Sequence, residues 1–318
     1  MVETDFAPER RTIGLSDGRV AEILTAGPAD GLPFVLHEGT PVGLVLFKQT
    51  VAAAAVRGLR SVLIARPGYE GSTPRPGRRV GDVAGDVAEV LNALGADTFV
   101  TAGWSGGGPH ALACAALLPG RCLAAASIAG AAPYGMPGLD WTAGMGPENV
   151  TEFNAALAGE AELTAFLQKE ALLFGGVTGA QVAEALGGLV SAADKAALTG
   201  EYANHVATAL KAAVTSGYGI AGWRDDDLAF TTDWGFSLGW DTPLSAATLL
   251  GPDEPPAPVA VWQGDEDRMV PYAHGEWLAT NIRGARAHLM PGEGHLTLTV
   301  TTFGRILDDL LDLAGIRA

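Results

Sequence analysis

The segment 99–109 constrains the fold more than any other part of the chain, because a short apolar run ends abruptly at a serine enclosed by glycines. It reads Phe-Val-Thr-Ala-Gly-Trp-Ser-Gly-Gly-Gly-Pro, with Ser105 between Gly103 and Gly107. Such a run is typical of a strand buried on both faces, and the small residues after it are typical of a helix. The segment therefore predicts a strand, a sharp turn and a helix, the geometry that exposes a serine hydroxyl for nucleophilic attack.

The same glycine–serine–glycine spacing occurs a second time, at Gly235-Phe-Ser-Leu-Gly239. With 43 glycines in 318 residues the spacing arises readily by chance, so its surroundings must decide between Ser105 and Ser237. No buried strand precedes Ser237, and residues 240–243 bring Trp, Asp and Pro in place of a small-residue helix. Ser105 is therefore the predicted nucleophile.

Apolar runs alternate with helical patterns in the first part of the chain. A hairpin over 12–25 turns at Ser16-Asp17-Gly18. Buried strands are predicted at 34–36, 61–65, 99–102 and 122–128, and helices at 45–59 and 80–94. This alternation predicts the α/β class, with a mostly parallel central sheet flanked by helices.

The strand rhythm stops after residue 134 and returns only near residue 258. Glycine breaks and short helical stretches fill the interval, without a convincing buried strand. Patterns in the second half of the chain are helical at 160–173, 180–190 and 300–313 and strand-like at 258–263 and 287–290. We therefore predict a core formed by 10–134 and 235–318, with a helical cap inserted at 135–234.

Charge and composition exclude several classes of partner. A formal net charge of −16 at pH 7 opposes nucleic acid or an anionic membrane surface. No apolar run is long enough to cross a bilayer and the N-terminus lacks a signal-peptide layout, so the cytoplasm is the expected location. Cys114 and Cys122 lack zinc-ligand spacing, no other cluster has metal-ligand spacing, and no G-x-G-x-x-G follows a strand. We expect a small-molecule substrate and neither cofactor nor metal, while the oligomeric state stays open.

A serine nucleophile needs a base, and His295 is the candidate. It ends the segment Pro291-Gly-Glu-Gly-His295, a glycine-flanked loop directly after the last predicted strand. A loop at the carboxyl edge of a parallel sheet is where functional side chains are presented. The other histidines outside the early loops are expected to be packed or solvent-facing: His110, His205, His274 and His288.

The base in turn needs a carboxylate that fixes its tautomer and orientation. The turn after the penultimate strand offers Asp265, Glu266 and Asp267. Their spacing from Gly264 favours Asp267, and Asp265 stays as the alternative. A nucleophile, an acid and a base then follow one another along the chain in the order known for hydrolases of the α/β class.

The negative charge of an acyl-transfer intermediate needs two N–H donors. Gly106, at the start of the predicted helix, is the first candidate. Thr40 is the second, because Gly39 in His37-Glu-Gly-Thr-Pro41 gives its loop conformational freedom. His37 is expected to order this loop by hydrogen bonds and not to act as a base.

Taken together, these segments resemble the α/β-hydrolase fold superfamily over most of the chain outside the cap. The similar segments are His37 to Pro41, Arg66-Pro-Gly-Tyr-Glu-Gly-Ser-Thr73, Gly103-Trp-Ser-Gly-Gly107, Trp234-Gly-Phe236, Gly264-Asp-Glu-Asp-Arg-Met-Val-Pro271 and Gly292-Glu-Gly-His295. Ala65, where many relatives carry Asp, and Glu38 depart from the pattern. The resemblance implies a hydrolase, and Ser105 at the turn argues against the relatives that carry a carboxylate there.

The leading interpretation is a serine hydrolase that cleaves a small or medium, mostly apolar ester through an acyl-enzyme. Ser105, Asp267 and His295 would be catalytic, with Thr40 and Gly106 forming the oxyanion hole. Aromatic and apolar side chains are expected to bind the substrate: Trp104 beside the nucleophile, and Trp141, Met145 and Phe153 in the cap.

Two alternatives stay open. The first is an aminopeptidase resembling proline iminopeptidases, in which cap carboxylates bind the substrate ammonium. The candidates for this role are Glu148, Glu152, Glu201 and residues 225–227. The second alternative is a binding member of the fold that holds a small molecule without turnover.

Overall fold

The computed structural model describes residues 7–239 and 256–316, and its framework is a single sheet. Eight strands in the described residues pair in the order β1-β2-β4-β3-β5-β6-β7-β8. Their bounds are β1 Glu9–Gly14, β2 Val20–Ala26, β3 Leu32–His37, β4 Leu59–Ile64, β5 Phe99–Trp104, β6 Cys122–Ile128, β7 Val259–Gly264 and β8 Arg286–Met290. Strands β3 to β8 are mutually parallel, whereas β2 pairs antiparallel with both β1 and β4. The α/β class and the mostly parallel sheet are confirmed.

Helices connect the parallel strands. Their bounds are α1 Lys48–Ala55, α2 Val83–Ala93, α3 Gly108–Leu117, α4 Pro147–Ala158, α5 Glu160–Gly176, α6 Val182–Ala185, α7 Ala192–Ala197, α8 Gly200–Thr215, α9 Ala221–Phe230, α10 Tyr272–Asn281, α11 Thr297–Val300 and α12 Phe303–Leu313. In the stretches that the structure describes, no helix has the length and apolarity to cross a membrane.

Several helix boundaries differ from the predicted ones. The helix predicted at 45–59 ends at Ala55, because Gly58 has φ +72° and β4 begins at Leu59. The helix predicted at 300–313 is interrupted at residues 301–302, where the Thr302 hydroxyl donates to Glu293 Oε1 at 3.2 Å. These differences leave the order of the elements unchanged.

Six helices, α4 to α9, lie between β6 and β7, and no strand occurs there among the residues described. We use the name cap segment for residues 135–234, although the division into core and cap stays a prediction. The cap segment contacts loops that follow parallel strands, through Asp194 at the loop after β8 and Asp226 at the loop after β4.

Apolar side chains cover both faces of the sheet. Along β3, Phe34 and Leu36 belong to one cluster and Val35 to another, as the two-residue period of a strand requires. The first cluster continues into α12 and the cap segment, and the second continues into α2 and α3. Because both faces are buried, the polar chemistry of the chain is confined to the ends of the strands.

Candidate active site

Ser105 lies in a tight turn between β5 and α3. It has φ +56°, a left-handed conformation that residues other than glycine seldom adopt. Residues Ser105–Gly107 form a single 3₁₀ turn that leads into α3. A Cβ on Gly103 would collide with the carbonyl of Gly107, and a Cβ on Gly107 would collide with the carbonyl of His37. The glycines on both sides are therefore required by close backbone packing.

His295 lies in the loop between β8 and α11 and is fully buried. Its Nδ1 atom is 2.8 Å from Asp267 Oδ2. Its Nε2 atom is also buried and has no hydrogen-bond partner among the described residues. His295 and Ser105 line the same cavity, so the imidazole is held on one side and available on the other.

The carboxylate of Asp267 is fixed on all sides in the turn after β7. Oδ1 accepts hydrogen bonds from the backbone N–H groups of Met269 and Val270, both at 2.9 Å. Oδ2 accepts a bond from Gln263 Nε2 at 3.0 Å in addition to its contact with His295. Asp265 is exposed and accepts from the backbone N–H of Gly292 at 2.7 Å. The structure thus places Asp267, and not Asp265, against the imidazole.

Thr40 and Gly106, the two candidate oxyanion donors, lie against each other. A Cβ on Gly106 would collide with the Thr40 side chain. No described residue accepts a hydrogen bond from the backbone N–H of Thr40. Gly106 is the second residue of its helical turn, where N–H groups have no partner inside the helix. Both N–H groups are therefore free to bind an anion next to Ser105.

Arg66 holds the loop that carries Thr40. Its Nη1 atom donates to the carbonyl of Glu38 at 2.6 Å, and Nη2 donates to the carbonyl of Gly39 at 2.9 Å and to Thr40 Oγ1 at 3.0 Å. The expectation for His37 is corrected here. Its ring contacts Cys114 Sγ on α3 at 3.6 Å and does not bond to its own loop.

Asp226 of α9 forms the centre of a buried charge cluster behind this loop. Its carboxylate lies 2.6 Å from Arg66 Nη2 and 2.6 Å from Arg78 Nη2, and it accepts from Tyr69 Oη at 2.9 Å and Thr40 Oγ1 at 2.8 Å. Burial favours the neutral acid, but the two guanidinium groups outweigh it and hold the pKa of Asp226 well below its usual value. The sequence signals only three adjacent aspartates, not the two arginines that lie more than a hundred positions earlier.

The cavity next to Ser105 has a volume of about 140 Å³. Trp104, which the sequence predicts to contact substrate, lines it and donates from Nε1 to the carbonyl of His295 at 3.0 Å. The apolar and aromatic side chains that also line it include Phe47, Phe166, Phe174, Leu186, Leu189, Leu210, Trp223, Met269 and Phe303. Most of these were not singled out by the sequence, because the side chains that line the cavity are of the same apolar types as those that fill the core.

Trp141, Met145 and Phe153 do not line this cavity, which corrects their predicted contact with substrate. Trp141 and Met145 belong to a separate apolar cluster with Val270. The indole N–H of Trp141 donates to the carbonyl of Ala132 at 2.7 Å, and Phe153 packs edge-on against the Trp141 ring at 4.5 Å. These apolar side chains pack the cap segment against the loops that follow the strands.

The remaining histidines have different surroundings. Burial lowers the pKa of His110 to about 4 and that of His274 to about 4, so both are neutral near pH 7. His288 stacks on Trp262 at 3.8 Å. His205 lines the cavity, contrary to expectation, and burial lowers its pKa to about 4. Within the described residues, no group of three or more His, Cys, Asp or Glu side chains could hold a metal ion.

Ser237, the serine of the second glycine pair, does not line the cavity. It follows α9 in a segment without helix or strand, and its Oγ accepts from the backbone N–H of Gly239 at 3.2 Å. The residues at 240–243 that weighed against it in the sequence lie outside the described residues.

Known proteins share this architecture. The structure is similar to that of a bromoperoxidase from Bacillus anthracis, with a TM-score of 0.66, 19% identity, and coverage of 96% of this chain and 100% of the other. It is also similar to carboxylesterase CesB from Bacillus subtilis, with a TM-score of 0.63, 16% identity, and coverage of 97% and 93%. At these identities the likeness concerns the fold.

In sequence, a non-heme chloroperoxidase from Streptomyces lividans is 32% identical over 149 residues, which are 46% of this chain and 54% of the relative. The match thus spans about half the length of that relative. A family model described as the alpha/beta hydrolase fold matches residues 33–300. Since this stretch is more than half of the chain and includes strands β4 to β8, Ser105 and His295, the chain belongs to the alpha/beta hydrolase fold family.

Proposed function

We propose that the protein is a serine hydrolase that cleaves small or medium, mostly apolar carboxylic esters. Ser105 Oγ attacks the ester carbonyl while His295 Nε2 takes its proton. The N–H groups of Thr40 and Gly106 bind the oxyanion, and His295 returns the proton to the leaving alcohol. Water then attacks the acyl-serine with His295 as base, which releases the acid and restores Ser105.

The observation that carries this proposal is the environment of His295. Its Nδ1 is bound to Asp267 at 2.8 Å, and its Nε2 is buried without a described partner beside the cavity that Ser105 lines. A carboxylate on Nδ1 places the proton of a neutral imidazole there and leaves Nε2 as an acceptor. This is the tautomer that a general base needs.

The cavity supports a small, mostly apolar substrate. Its volume of about 140 Å³ is close to the volume of about 150 Å³ that suffices for a benzene-sized molecule. Aromatic and aliphatic side chains form most of its lining, and no Lys or Arg is among the described residues around it. An acyl group with a free carboxylate would therefore be disfavoured.

The test is a panel of p-nitrophenyl esters of increasing acyl length, measured with wild type and Ser105→Ala. We expect short acyl chains to be turned over fastest, and Ser105→Ala to lower kcat by about 10,000-fold or more. A fluorophosphonate probe should label wild type at Ser105. Full ester hydrolysis by Ser105→Ala would refute the mechanism, and a folded wild type that is not labelled would favour the binding member of the fold.

A second candidate, the aminopeptidase, is favoured by the carboxylates that line the cavity. These are Glu148, Glu152 and Glu170, besides Glu38. Glu148 Oε2 is buried without a described partner, and Trp223 Nε1 donates to Glu152 Oε1 at 2.6 Å. Glu201, in contrast, is exposed, and residues 225–227 do not line the cavity. A substrate ammonium would find its counter-charge at the glutamates of α4 and α5.

Turnover of aminoacyl p-nitroanilides, compared with the matching acyl p-nitroanilides that lack the amine, separates the two activities. If the protein is an aminopeptidase, the free amine raises kcat/KM, and Glu152→Gln removes this preference. Glu162→Gln, on the exposed face of α5, is the matched control. Equal turnover of both substrates, or faster turnover without the amine, leaves the esterase as the function.

A further inference from the structure

Asp194 is a fully buried carboxylate of the cap segment that the proposed reaction does not use. It is the third residue of α7, and the described groups that bond to it are neutral hydrogen-bond donors. A buried carboxylate is costly unless donors replace its lost hydration. The donors that surround Asp194 therefore indicate what its burial achieves.

Three of these donors are consecutive backbone N–H groups at His295. Asp194 Oδ2 accepts from the N–H of His295 at 3.1 Å, and Oδ1 accepts from the N–H groups of Leu296 at 2.7 Å and Thr297 at 3.3 Å. Bonds to a charged acceptor are about twice as strong as neutral ones. The segment that carries the imidazole is thus bound by its main chain to a helix of the cap segment.

The carboxylate of Asp194 is not required by its own helix. Ser191 already caps α7, because its Oγ accepts from the N–H of Asp194 at 3.1 Å. The same hydroxyl donates to Asp194 Oδ2 at 3.1 Å, which orients the carboxylate toward the loop. Ser191 and α7 therefore serve as the support for a contact that is made outside the helix.

The loop is adapted to this contact from the opposite side. A Cβ on Gly294, the residue before His295, would collide with both oxygens of Asp194. The glycine allows the carboxylate to reach the main chain, and Gly294 N–H donates to Thr297 Oγ1 at 2.8 Å to close the turn. The contact is therefore built from both partners.

We propose that Asp194 is a positioning residue for the base, a role that rests on the proposed function of His295. The side chain of His295 is oriented by Asp267, whereas its main chain is oriented by Asp194. With both ends fixed, the Nε2 atom is held at the cavity beside Ser105. Loss of the Asp194 carboxylate leaves Ser105, Asp267 and His295 in the chain, but it lets the imidazole rotate and shift with its loop.

The primary test compares Asp194→Asn with wild type. The amide keeps the volume of the carboxylate, but it turns one acceptor into a donor that faces an N–H group. We expect kcat on a short p-nitrophenyl ester and the rate of fluorophosphonate labelling to fall together, on the order of 10- to 100-fold, with little change in KM. Glu89→Gln is the matched control, because Glu89 accepts from the N–H and the hydroxyl of Ser16, at 2.7 and 2.8 Å, and neither residue lines the cavity.

Hydrogen exchange of the amides of residues 295–297 gives a readout that does not depend on activity. We expect these amides to exchange faster in Asp194→Asn and unchanged in Glu89→Gln. Gly294→Ala displaces the carboxylate without removing it, and should show the same faster exchange and the same loss of kcat. If Asp194→Asn does not fold, Gly294→Ala tests the role of Asp194 in its place.

The proposal is overturned if a folded Asp194→Asn or Gly294→Ala keeps kcat and labelling within about twofold of wild type. It is also overturned if the exchange at 295–297 is unchanged. If wild type neither hydrolyses esters nor reacts with the probe, the proposed function fails. In that case the exchange data still report whether Asp194 holds the loop.

Discussion

Two aspartates separated by one residue have opposite surroundings at the end of β7. Asp267 is buried and accepts four hydrogen bonds, one of them from His295, whereas Asp265 is exposed and its carboxylate accepts one bond among the described residues, from the backbone N–H of Gly292. Only one of the two carboxylates can orient the imidazole.

We predict that Asp267→Asn lowers kcat for ester hydrolysis by about 1,000- to 10,000-fold, because an amide donor would stabilise the wrong tautomer of His295. Asp265→Asn should change kcat by less than about threefold, since its loss affects one surface hydrogen bond. Steady-state kinetics on one ester under identical conditions makes the comparison. Equal losses in both variants would contradict the assignment of the acid.

Glu38 is one of the two residues, with Ala65, at which the sequence departs from the family pattern, and its environment is unusual. It is partly buried at the cavity wall, and its backbone carbonyl, not its side chain, accepts from Arg66. Burial raises the pKa of Glu38 from 4.5 to about 7, although Arg66 opposes this shift. The folded protein therefore keeps this side chain protonated at pH values where the unfolded chain ionises.

The sign of the resulting pH dependence follows from proton binding. Between pH 4.5 and 7 the unfolded state binds fewer protons at Glu38 than the folded state, so its contribution to stability falls as the pH rises. Glu38→Gln cannot ionise and should escape this loss. We expect its Tm relative to wild type to rise by about 2–5 °C between pH 5 and pH 8, as measured by scanning calorimetry. A difference that is constant with pH would contradict the shifted pKa.

At the scale of elements, the turn between β5 and α3 depends on glycines that a pattern alone does not distinguish from others. A Cβ on Gly107 would overlap the carbonyl of His37 at the end of β3, so this turn and β3 fit only without a side chain. Gly85, in α2, has nothing within 4 Å of the place where a Cβ would stand. A substitution at Gly107 therefore tests the close packing of the turn, and a substitution at Gly85 tests helix propensity alone.

Gly107→Ala should destabilise the protein by several kcal/mol or prevent folding, because rigid backbone cannot yield to the added methyl group. Gly85→Ala should stabilise it by about 0.5–1 kcal/mol, because alanine favours the helix. Urea denaturation of both variants provides the measurement. A stable and active Gly107→Ala would show that the turn is looser than its geometry indicates.

The elements that the sequence predicted best are those with a strong local signal. The buried strands and their succession along the chain followed from apolar runs such as 99–102, and the turn at Ser105 followed from its glycines. Helix ends were less predictable, as at α1, because propensity does not show that β4 already begins at Leu59. The sequence assigned Trp141 and Phe153 to substrate binding, whereas the two rings pack against each other. Which surface an apolar side chain contacts depends on residues distant in the chain.

For the molecule as a whole, contacts between residues far apart in the chain join α9 to the first half of the chain. Arg66 and Arg78 meet Asp226 in a cluster whose charged side chains are nearly inaccessible to solvent. Local patterns could not predict it, because each of these residues on its own is typical of a solvated surface. The same holds for Asp194, whose serine at 191 predicts a helix start but not a contact with His295.

Asp226→Asn should lower the free energy of unfolding by about 3–5 kcal/mol, because it leaves two buried guanidinium groups without a counter-charge. Asp308→Asn, which breaks an exposed pair with Arg57, should cost about 1 kcal/mol or less. Since the pKa of Asp226 is held well below 3.8, its contribution is complete above that pH and is lost only in stronger acid. Urea denaturation at pH 7 and at pH 3 checks both statements, and similar losses in the two variants would contradict them.

The charge cluster at Asp226 limits how the helices between β6 and β7 can be exchanged in this chain. A chimaera whose helices between β6 and β7 lack an acid at the position of Asp226 would lose the partner of Arg66, and with it the support of the loop that carries Thr40. It would also lose Asp194 and the support of the loop at His295. Grafts intended to change substrate preference must therefore retain these two anions in α7 and α9, or replace the cations and the glycine that face them.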